Sequence, residues 1–252
     1  MLFISIVSHN HFGLIKKIGS LPLLKNCDFV KVIIRDNVGE KSFDKWCKSY
    51  GFKYICNDNS YGFGKNNNLN FFDLEITDED LFLVMNPDVS ITEESLLSIQ
   101  REMVSQNLRL ATINLFKDED FANSDTNIRR FPTLLDFILR FLLNTNDTII
   151  DKSSIDNHSK VDWASGSFLI FSVPTYKRLA GFDENYFMYC EDMDICMRFF
   201  KTFGSKVTFL KEIRGVHFAQ HKNRSVFTRH FFWHLKSVFR FLIKFNKFSR
   251  TI

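Results

Sequence analysis

Asp80-Leu-Phe-Leu-Val-Met-Asn-Pro-Asp88 is the stretch that decides the fold, because an unbroken apolar run ends abruptly in polar residues. A short apolar run bounded by turn-forming residues predicts a strand buried inside a sheet. The same pattern recurs at residues 2–7 and 30–34, and helical segments lie between these runs. Strands that alternate with helices predict an α/β fold with a mostly parallel central sheet and helices on both faces.

Each of these strands is followed by a polar tip: Ser8-His9-Asn10, Asp36-Asn37 and Asn86-Pro87-Asp88. In parallel sheets, ligands bind beyond the carboxyl ends of the strands, so the tips predict a binding site at one edge. A simpler interpretation also fits, because Asn and Asp favour turns and the third tip can lead into a helix capped by Thr92. A carboxylate just after a buried strand can equally hold a divalent metal that bridges a diphosphate.

Two further segments contain glycines at places where a ligand could approach the backbone. Tyr61-Gly-Phe-Gly-Lys-Asn-Asn-Asn68 opens a helix, although it lacks the third glycine of the dinucleotide-binding fingerprint and is a weak signal alone. Val161-Asp-Trp-Ala-Ser-Gly-Ser-Phe-Leu-Ile-Phe171 is predicted to be a strand with a kink of small residues at 164–166. Glycine and serine at such a kink allow a ligand or a loop to come close.

An acid-rich segment, Gly181-Phe-Asp-Glu-Asn-Tyr-Phe-Met-Tyr-Cys-Glu-Asp-Met-Asp194, joins an aromatic loop to a predicted helix. Its acidic residues are Asp183, Glu184, Glu191, Asp192 and Asp194. Carboxylates held against apolar surface are desolvated, which raises their pKa towards the range of a general base. The alternative is an ordinary helix N-terminus, where acidic residues are favoured by the helix dipole.

Composition describes an ordinary globular protein of 252 residues, 45% hydrophobic and 25% charged, with room for one domain or two lobes. The 5 cysteines are odd in number and no pair has CxxC spacing. Neither a zinc knuckle nor a disulfide framework is therefore predicted, and reduced thiols in a cytosolic protein are expected. The sequence has no secretion signal and no apolar run of the roughly 18–20 residues that a membrane span needs.

The basic residues are unevenly distributed along the chain. Residues 213–252 contain nine of the 33 Lys and Arg residues and none of the 29 Asp and Glu residues. Residues 226–248 alternate basic and Phe-rich apolar positions, which predicts a basic amphipathic helix of the kind that lies in a membrane interface. The alternative is a helix packed on the body with its charges in water. No nucleic-acid partner is expected, because the sequence has no motif that reads nucleic acid.

Taken together, these segments resemble the inverting family 2 glycosyltransferases with a GT-A-type fold, and among them the bacterial rhamnosyltransferases of O-antigen assembly. The resemblance runs over nearly the whole chain, and it is the order and spacing of the motifs that make it specific. The motifs that carry it are Val7-Ser8-His9-Asn10, Arg35-Asp36-Asn37, the 61–68 loop, Asn86-Pro87-Asp88, Asp162-Trp-Ala-Ser-Gly-Ser167, Gly181-Phe-Asp183, Tyr186-Phe-Met-Tyr-Cys-Glu-Asp-Met-Asp194, Val216-His217 and His221-Lys-Asn-Arg-Ser225.

The resemblance implies a role for each motif. Asp192 would be the general base that deprotonates the acceptor hydroxyl, and Asp88 with His217 would hold a divalent metal, Mg²⁺ or Mn²⁺, on the diphosphate. Asp36 would hydrogen-bond the nucleobase. The other donor-binding positions would be Ser8, Asn10, Asn37, Gly62, Phe63, Gly64, Asn67 and Asn86. The acceptor pocket would be lined by Trp163, Ser165, Gly166 and Glu191.

The chain departs from the family pattern at two positions. The metal motif is usually Asp-x-Asp, and its first acid is here Asn86, a neutral and weaker metal ligand. Ser60 stands where many relatives have Asn. Both acids on which the activity would depend, Asp88 and Asp192, are present.

The resemblance further implies the partners and the location. The donor would be a nucleotide sugar, dTDP-L-rhamnose, and the acceptor a lipid-diphosphate-linked sugar used in lipopolysaccharide assembly. Residues 1–225 would form the glycosyltransferase domain, and 226–252 a helix that holds the protein peripherally on the cytoplasmic face of the inner membrane. The alternatives are another nucleotide sugar, a sugar nucleotidyltransferase, or an inactive module that binds membrane surfaces.

Overall fold

The computed structural model describes residues 1–143, 147–218 and 229–245. The strands within these ranges are β1 (Leu2–Ser8), β2 (Val30–Asp36), β3 (Lys53–Cys56), β4 (Leu81–Met85), β5 (Val89–Ser90), β6 (Leu110–Phe116), β7 (Ile128–Arg129), β8 (Lys160–Val161), β9 (Trp163–Ala164), β10 (Phe168–Ser172) and β11 (Val207–His217). The α-helices are α1 (Phe12–Ile18), α2 (Phe43–Ser49), α3 (Phe63–Phe72), α4 (Glu93–Ser105), α5 (Leu134–Leu143), α6 (Val173–Arg178), α7 (Glu191–Phe203) and α8 (Arg229–Phe245).

The first four strands form the parallel half of the main sheet, as the sequence predicts. They lie in the order β3-β2-β1-β4, with β1 between β2 and β4. Ser8 is the register partner of Asp36, so the polar tips of β1 and β2 are neighbours. The predicted gathering of strand ends at one edge is therefore confirmed for this half.

The sheet as a whole is mixed, which corrects the prediction of a mostly parallel one. It continues from β4 as β10-β6-β11-β5, with β8 also paired to β11. β10 runs antiparallel to both of its neighbours, and β5 and β8 run antiparallel to β11. Buried strands of either direction have the same apolar sequence, so the pattern could not indicate the direction of β10.

The reversed strand β10 matters because of what it places at the edge. The predicted strand over 161–171 is interrupted by a turn, and β10 begins only at Phe168, which pairs with Met85 at the carboxyl end of β4. The residues just before Phe168 therefore lie beside the tip that follows β4. His217, at the end of β11, pairs with Val89 and so comes to the same place from the other side.

Alternate residues of each central strand fill two apolar cores, one on each face of the sheet. Ile4 and Leu83 belong to the core beneath α1, α2 and α4, whereas Phe3 and Phe82 belong to the core beneath α6 and α7. A third, smaller cluster lies between α7 and α8. Its buried members are Tyr186, Cys190, Met193, Met197, Val238, Phe241, Leu242 and Phe245.

Helix α8 lies against the body, and its apolar residues divide between two faces. Val238, Phe241, Leu242 and Phe245 are buried, whereas Phe232, Leu235, Phe239 and Ile243 are exposed. One apolar row packs on α7, in agreement with the alternative of a helix packed on the body, and a second row remains outside. No described helix is both long enough and apolar enough to cross a membrane. The predicted boundary at 225, the motif 221–225 and the ends of the predicted helix lie outside the described residues.

Candidate active site

Asp36 is completely buried at the end of β2 and organises the loop that follows it. Its Oδ1 accepts a hydrogen bond from the Val38 N–H at 3.0 Å, and its Oδ2 accepts from the Glu40 N–H at 2.8 Å and the Tyr54 hydroxyl at 2.9 Å. Glu40 in turn accepts from the Ser8 hydroxyl at 3.2 Å. The tips of β1 and β2 are therefore tied together by side chains as well as by the sheet.

A network of amide side chains continues this edge towards α3. Asn37 Oδ1 accepts from the Asn57 amide at 2.8 Å, the Asn66 amide at 3.1 Å and the Tyr61 N–H at 3.2 Å. Asn57 also donates to Asn66 at 2.7 Å. Asn57 was not predicted as a site residue, whereas Asn66 lies within the predicted 61–68 loop without an individual role.

Two other predicted donor residues differ in their setting. Asn67 is buried, where its Oδ1 accepts from the Ser5 hydroxyl at 2.7 Å and its amide donates to the Phe63 carbonyl at 3.0 Å. It therefore fastens α3 to β1. Asn10 is exposed at the same edge, with φ of 63° in the left-handed region that Asn tolerates better than most residues.

Three glycines let the donor loop, the kink before β10 and the acid-rich segment touch each other. A Cβ on Gly62 would lie 2.1 Å from the Phe187 carbonyl oxygen, and one on Gly64 would lie 2.8 Å from the Phe182 side chain. A Cβ on Gly166 would lie 2.9 Å from the Phe63 ring. The glycines are needed here for close approach, so the predicted Gly-x-Gly signal reports tight packing around the site.

Asp88 and His217 meet at the predicted metal position. Asp88 Oδ1 lies 3.3 Å from His217 Nε2, yet this buried oxygen has no hydrogen bond of acceptable geometry. His217 Nδ1 lies 2.8 Å from Asp125 Oδ2, so the imidazole stands between two carboxylates. Burial opposes its charge, but the two carboxylates prevail and raise the pKa of His217 to about 9. Burial likewise acts to raise the pKa of Asp88, and the contact with His217 outweighs it and lowers that pKa.

The donor set at this position fits a divalent metal. The Asp88 carboxylate suits Mg²⁺ or Mn²⁺, and its buried Oδ1, which has no hydrogen bond, could be a ligand. His217 could be a second ligand after it loses its proton. Asp125 would fix the imidazole through Nδ1, as carboxylates commonly do behind a metal-binding histidine. In the described part of the chain, no group of three or more Cys, His, Asp or Glu residues is arranged around one metal position. The protein would thus supply two ligands.

Asp192 is partly exposed in the first turn of α7, and its carboxylate is fixed by two backbone N–H groups. Gly166 donates to Oδ2 at 3.0 Å and Met193 donates to Oδ1 at 2.8 Å. Burial raises the pKa of Asp192, whereas these N–H groups and the nearby charge of Arg129 lower it, and the upward shift prevails. Asp192 therefore has the direction of pKa shift that a general base needs.

Glu191 differs from its neighbour because it is buried and one of its oxygens, Oε2, has no hydrogen-bond partner. Burial, together with the charge of Asp192, raises the pKa of Glu191 to about 8. The uncharged form of Glu191 is therefore favoured well above the pH at which a free glutamate ionises.

The three remaining acids of the segment form structural contacts. Asp194 is completely buried between Arg198 and Lys244, at 2.6 Å from each. Asp183 pairs with Lys244 at 2.7 Å, and the Asn68 amide donates to Glu184 at 3.1 Å. The cluster therefore separates into the pair 191–192 at the site and three acids that hold neighbouring elements.

The kink before β10 joins the two halves of the site. The Asn86 N–H donates to the Ser167 carbonyl at 3.0 Å, and Gly166, one residue earlier, contacts Asp192. Trp163 donates through Nε1 to the Arg130 carbonyl at 2.9 Å. Ser165 shares a hydroxyl–hydroxyl hydrogen bond with Ser167. The turn at 165–167 thus lies beside the tip that follows β4 and beside Asp192, whereas Trp163 is held through Arg130.

Two charged residues of the site were missed by sequence reasoning. Asp125 lies 92 positions from His217, and Arg129, whose guanidinium lies 5.3 Å from the centre of the Trp163 ring, belongs to the two-residue strand β7. Neither residue lies in a motif, so no local signal could have identified them. The arrangement as a whole holds the Asp192 carboxyl group at the kink and a carboxylate–imidazole pair next to it, which suits deprotonation on one side and stabilisation of a leaving anion on the other.

Comparison with known proteins gives one relative that spans nearly the whole chain. The rhamnosyltransferase WbbL of Escherichia coli (strain K12) is 38% identical over 97% of this chain and 93% of its own length. The search of protein-family models gave no match.

Solved structures share the fold at much lower identity. GalNAc-T7, solved with UDP, GalNAc and Mn²⁺, superposes with a TM-score of 0.68 at 11% identity, over 96% of this chain and 47% of its own. The mannosyltransferase PcManGT of Pyrobaculum calidifontis, solved with GDP-Man and Mn²⁺, superposes with a TM-score of 0.59 at 11% identity, over 88% of this chain and 58% of its own. These matches concern the α/β architecture with its curled mixed sheet.

Proposed function

This chain belongs to the inverting family 2 glycosyltransferases with a GT-A-type fold, and we propose that it transfers L-rhamnose from dTDP-L-rhamnose to a lipid-diphosphate-linked sugar. As a glycosyltransferase, it is neither a sugar nucleotidyltransferase nor an inactive binding module. The observation that carries the proposal is the partly exposed Asp192 carboxylate, fixed by Gly166 beside the strand tip that bears Asp88. The choice of rhamnose is supported by the 38% identity to a rhamnosyltransferase.

The proposed reaction is a single displacement at the anomeric carbon of the donor sugar. Asp192 accepts the proton of the acceptor hydroxyl, whose oxygen forms a bond to the anomeric carbon as the bond to the diphosphate oxygen breaks. The nucleoside diphosphate leaves with the electron pair, and the configuration inverts. Burial favours the uncharged form of Glu191, whereas the N–H groups of Gly166 and Met193 favour the carboxylate form of Asp192, which suits Asp192 as the proton acceptor.

The leaving diphosphate requires charge neutralisation on the side opposite the base. Asp88 and His217 would hold a divalent ion, and this ion, when bound, would neutralise charge on the departing diphosphate. Asp125 would keep the imidazole of His217 in position. Neutral Asn86, at the place of the usual first acid, would contribute polarity without charge.

We also propose that the protein is peripheral on the cytoplasmic face of the inner membrane, where such an acceptor for O-antigen assembly would be presented. The exposed row Phe232, Leu235, Phe239 and Ile243 on α8, within a C-terminal region rich in Lys and Arg, supports this location. Changing Phe239 and Ile243 together to Gln should abolish binding to anionic vesicles at low salt. Val104→Gln, at an exposed apolar position on α4, is the control, and unchanged binding by the double variant would reject the proposal.

The transferase proposal is tested by offering a panel of nucleotide sugars with a synthetic lipid-diphosphate-linked N-acetylglucosamine and detecting product by mass. We expect transfer from dTDP-L-rhamnose in the presence of Mg²⁺ or Mn²⁺. Preferred transfer from another donor would refute L-rhamnose as the sugar but not the proposed mechanism. The absence of transfer from every donor would overturn the proposal as a whole.

The role of Asp192 is tested by a matched pair of substitutions. Asp192→Asn should lower kcat by at least about 100-fold while donor binding stays nearly intact, since loss of a general base typically costs 10²–10⁴-fold. Asp120→Asn, which removes an exposed carboxylate from a loop, is the control and should leave turnover unchanged. If Asp192→Asn instead weakened donor binding, Asp192 would be a ligand and not the base.

A further inference from the structure

A cavity of about 230 Å³ lies between α8 and the aromatic loop of residues 183–189, outside the site described above. Its lining residues are Asn185, Phe187, Trp233, Lys236, Ser237 and Arg240. The cavity therefore combines two cations with two large aromatic side chains. This combination suits a ligand that is anionic at one end and apolar at the other.

The two cations lie four residues apart on one face of α8, where like charges repel each other. Arg240 donates through Nη2 to Asp183 at 3.2 Å, but its buried Nε has no hydrogen-bond partner. Lys236 is exposed and makes no ion pair with any residue that the structure describes. An anion between the two would relieve the repulsion and supply the missing acceptor.

The charges around the cavity leave a positive excess. Arg198, Arg240 and Lys244 surround two carboxylates, those of Asp183 and Asp194. Of the cations that line the cavity, Arg240 shares the Asp183 carboxylate with Lys244, and Lys236 has no ion pair among the described residues. The cavity therefore favours an anion beside Lys236.

The polar neighbours of the cations are already engaged elsewhere. The Asn185 amide donates to Asp183 at 2.7 Å, and the Ser237 hydroxyl donates to the Met188 carbonyl at 2.9 Å. Lys236 and the Nε of Arg240 are therefore the groups that are available to a ligand. Phosphate oxygens are matched by ammonium and guanidinium groups, which donate charge-assisted hydrogen bonds to them.

The apolar part of the cavity continues onto the surface. The rings of Phe187 and Trp233 pack with their centres 4.7 Å apart, and the neighbouring face of α8 carries the exposed row that includes Phe232 and Phe239. The cavity is also close to the donor loop, because the Phe187 carbonyl accepts a hydrogen bond from the Phe63 N–H at 3.2 Å. A ligand held here would span from the outer face of α8 towards the site.

We propose that this cavity binds the diphosphate of a lipid-linked acceptor, with Lys236 and Arg240 on the phosphates and the lipid chain along the exposed apolar row of α8. The inference rests on the proposed function, because it names the subsite for the anionic part of that acceptor. It places α8 in the acceptor site itself, in addition to its contact with a membrane surface.

The first experiment measures binding by calorimetry with farnesyl diphosphate as the probe. EDTA is present, so that metal-dependent binding of diphosphate at Asp88 does not contribute. We expect Lys236→Gln to weaken binding about tenfold, the loss of one charged contact, and Lys236→Arg to retain it. Lys45→Gln, which removes an exposed charge on α2, is the matched control and should bind like the unmodified protein.

Two further probes distinguish the source of the phosphate. Inorganic pyrophosphate should bind more weakly than farnesyl diphosphate and still respond to Lys236→Gln, and farnesol should not respond to it. Pyrophosphate that binds as tightly as farnesyl diphosphate would overturn the assignment to a lipid-linked ligand. Equal binding of farnesyl diphosphate by the unmodified protein and Lys236→Gln would overturn the subsite altogether.

The second experiment separates this inference from the proposed function. Transfer is compared between a lipid-diphosphate-linked sugar and the octyl glycoside of the same sugar. The ratio of the two kcat/KM values should fall about tenfold in Lys236→Gln and stay unchanged in Lys45→Gln. Absence of transfer to either acceptor by the unmodified protein would refute the proposed function, whereas robust transfer with an unchanged ratio in Lys236→Gln would refute only the subsite.

Discussion

Replacing Glu191 with Gln should stabilise the protein in a way that grows with pH. The side chain is buried, Oε2 has no hydrogen-bond partner, and Asp192 adds a like charge. Together, burial and that charge raise the pKa of Glu191 from an ordinary 4.5 to about 8. Gln has nearly the same shape and cannot ionise, so it removes the charge without leaving a cavity.

The sign follows from comparing the folded and unfolded chains. The unfolded chain ionises this carboxyl from about pH 4.5, whereas the folded protein keeps it protonated up to about pH 8. The favourable contribution of the protonated form is therefore complete below pH 4.5 and is lost as the pH rises to 8. Between pH 5 and pH 9, ionisation of Glu191 therefore lowers the free energy of unfolding by about 3–4 kcal/mol. Glu191→Gln avoids this loss.

Urea unfolding, followed by tryptophan fluorescence at pH 5 and pH 9, measures the effect. The free energy of unfolding of Glu191→Gln should exceed that of the unmodified protein at both pH values. The difference should be under about 1 kcal/mol at pH 5 and should grow by about 3–4 kcal/mol between pH 5 and pH 9. Glu75→Gln, at an exposed position, is the control and should show no such trend. A difference that is the same at both pH values would refute the account of Glu191 as a buried, protonated acid.

Two further predictions concern packing and positioning. Gly62→Ala should lower the free energy of unfolding by about 1–3 kcal/mol and should also lower kcat/KM, because its Cβ would overlap the Phe187 carbonyl. Gly13→Ala is the control in urea unfolding, since a Cβ there meets nothing within 4 Å. Equal stability of the two variants would contradict the close packing at Gly62. Asp125→Asn should weaken Mn²⁺ binding about 10–100-fold, because His217 loses the carboxylate that orients it. Binding is measured by electron paramagnetic resonance with dTDP present. An unchanged Kd for Mn²⁺ would show that Asp125 does not support the metal site.

The sequence was sufficient for the parts of the site that depend on strand ends. Ser8, Asp36 and Asp88 each follow a buried apolar run, and parallel pairing alone brings the first two together. The aromatic and acidic pattern of residues 181–194 indicated a candidate segment, and the family resemblance singled out Asp192 within it; the structure gives the pKa of Asp192 the expected upward direction. Local pattern and elementary topology account for the strand-end positions, and the resemblance accounts for the choice of Asp192.

The parts that the sequence could not predict depend on contacts between distant residues. The direction of β10 is set by tertiary packing, and so is the delivery of Gly166 to Asp192. Asp125 reaches the site only through His217, and no periodicity connects residues 92 positions apart. Helix propensity and apolar spacing likewise could not indicate which apolar row of α8 would be buried, because both rows have the helical period.

The ion pairs of α8 change how its role must be tested. Lys244 lies 2.6 Å from Asp194, which is completely buried on the same helix as Asp192, and 2.7 Å from Asp183. Removing Lys244 would leave the buried Asp194 carboxylate with Arg198 as its one remaining cation and would weaken the tie between α7 and α8. Truncation before α8 would also expose the apolar cluster that includes Met193. Loss of vesicle binding after truncation could therefore result either from lost membrane contact or from damage to α7. Substitutions in the exposed apolar row separate the two causes, because they leave the contacts between α7 and α8 in place.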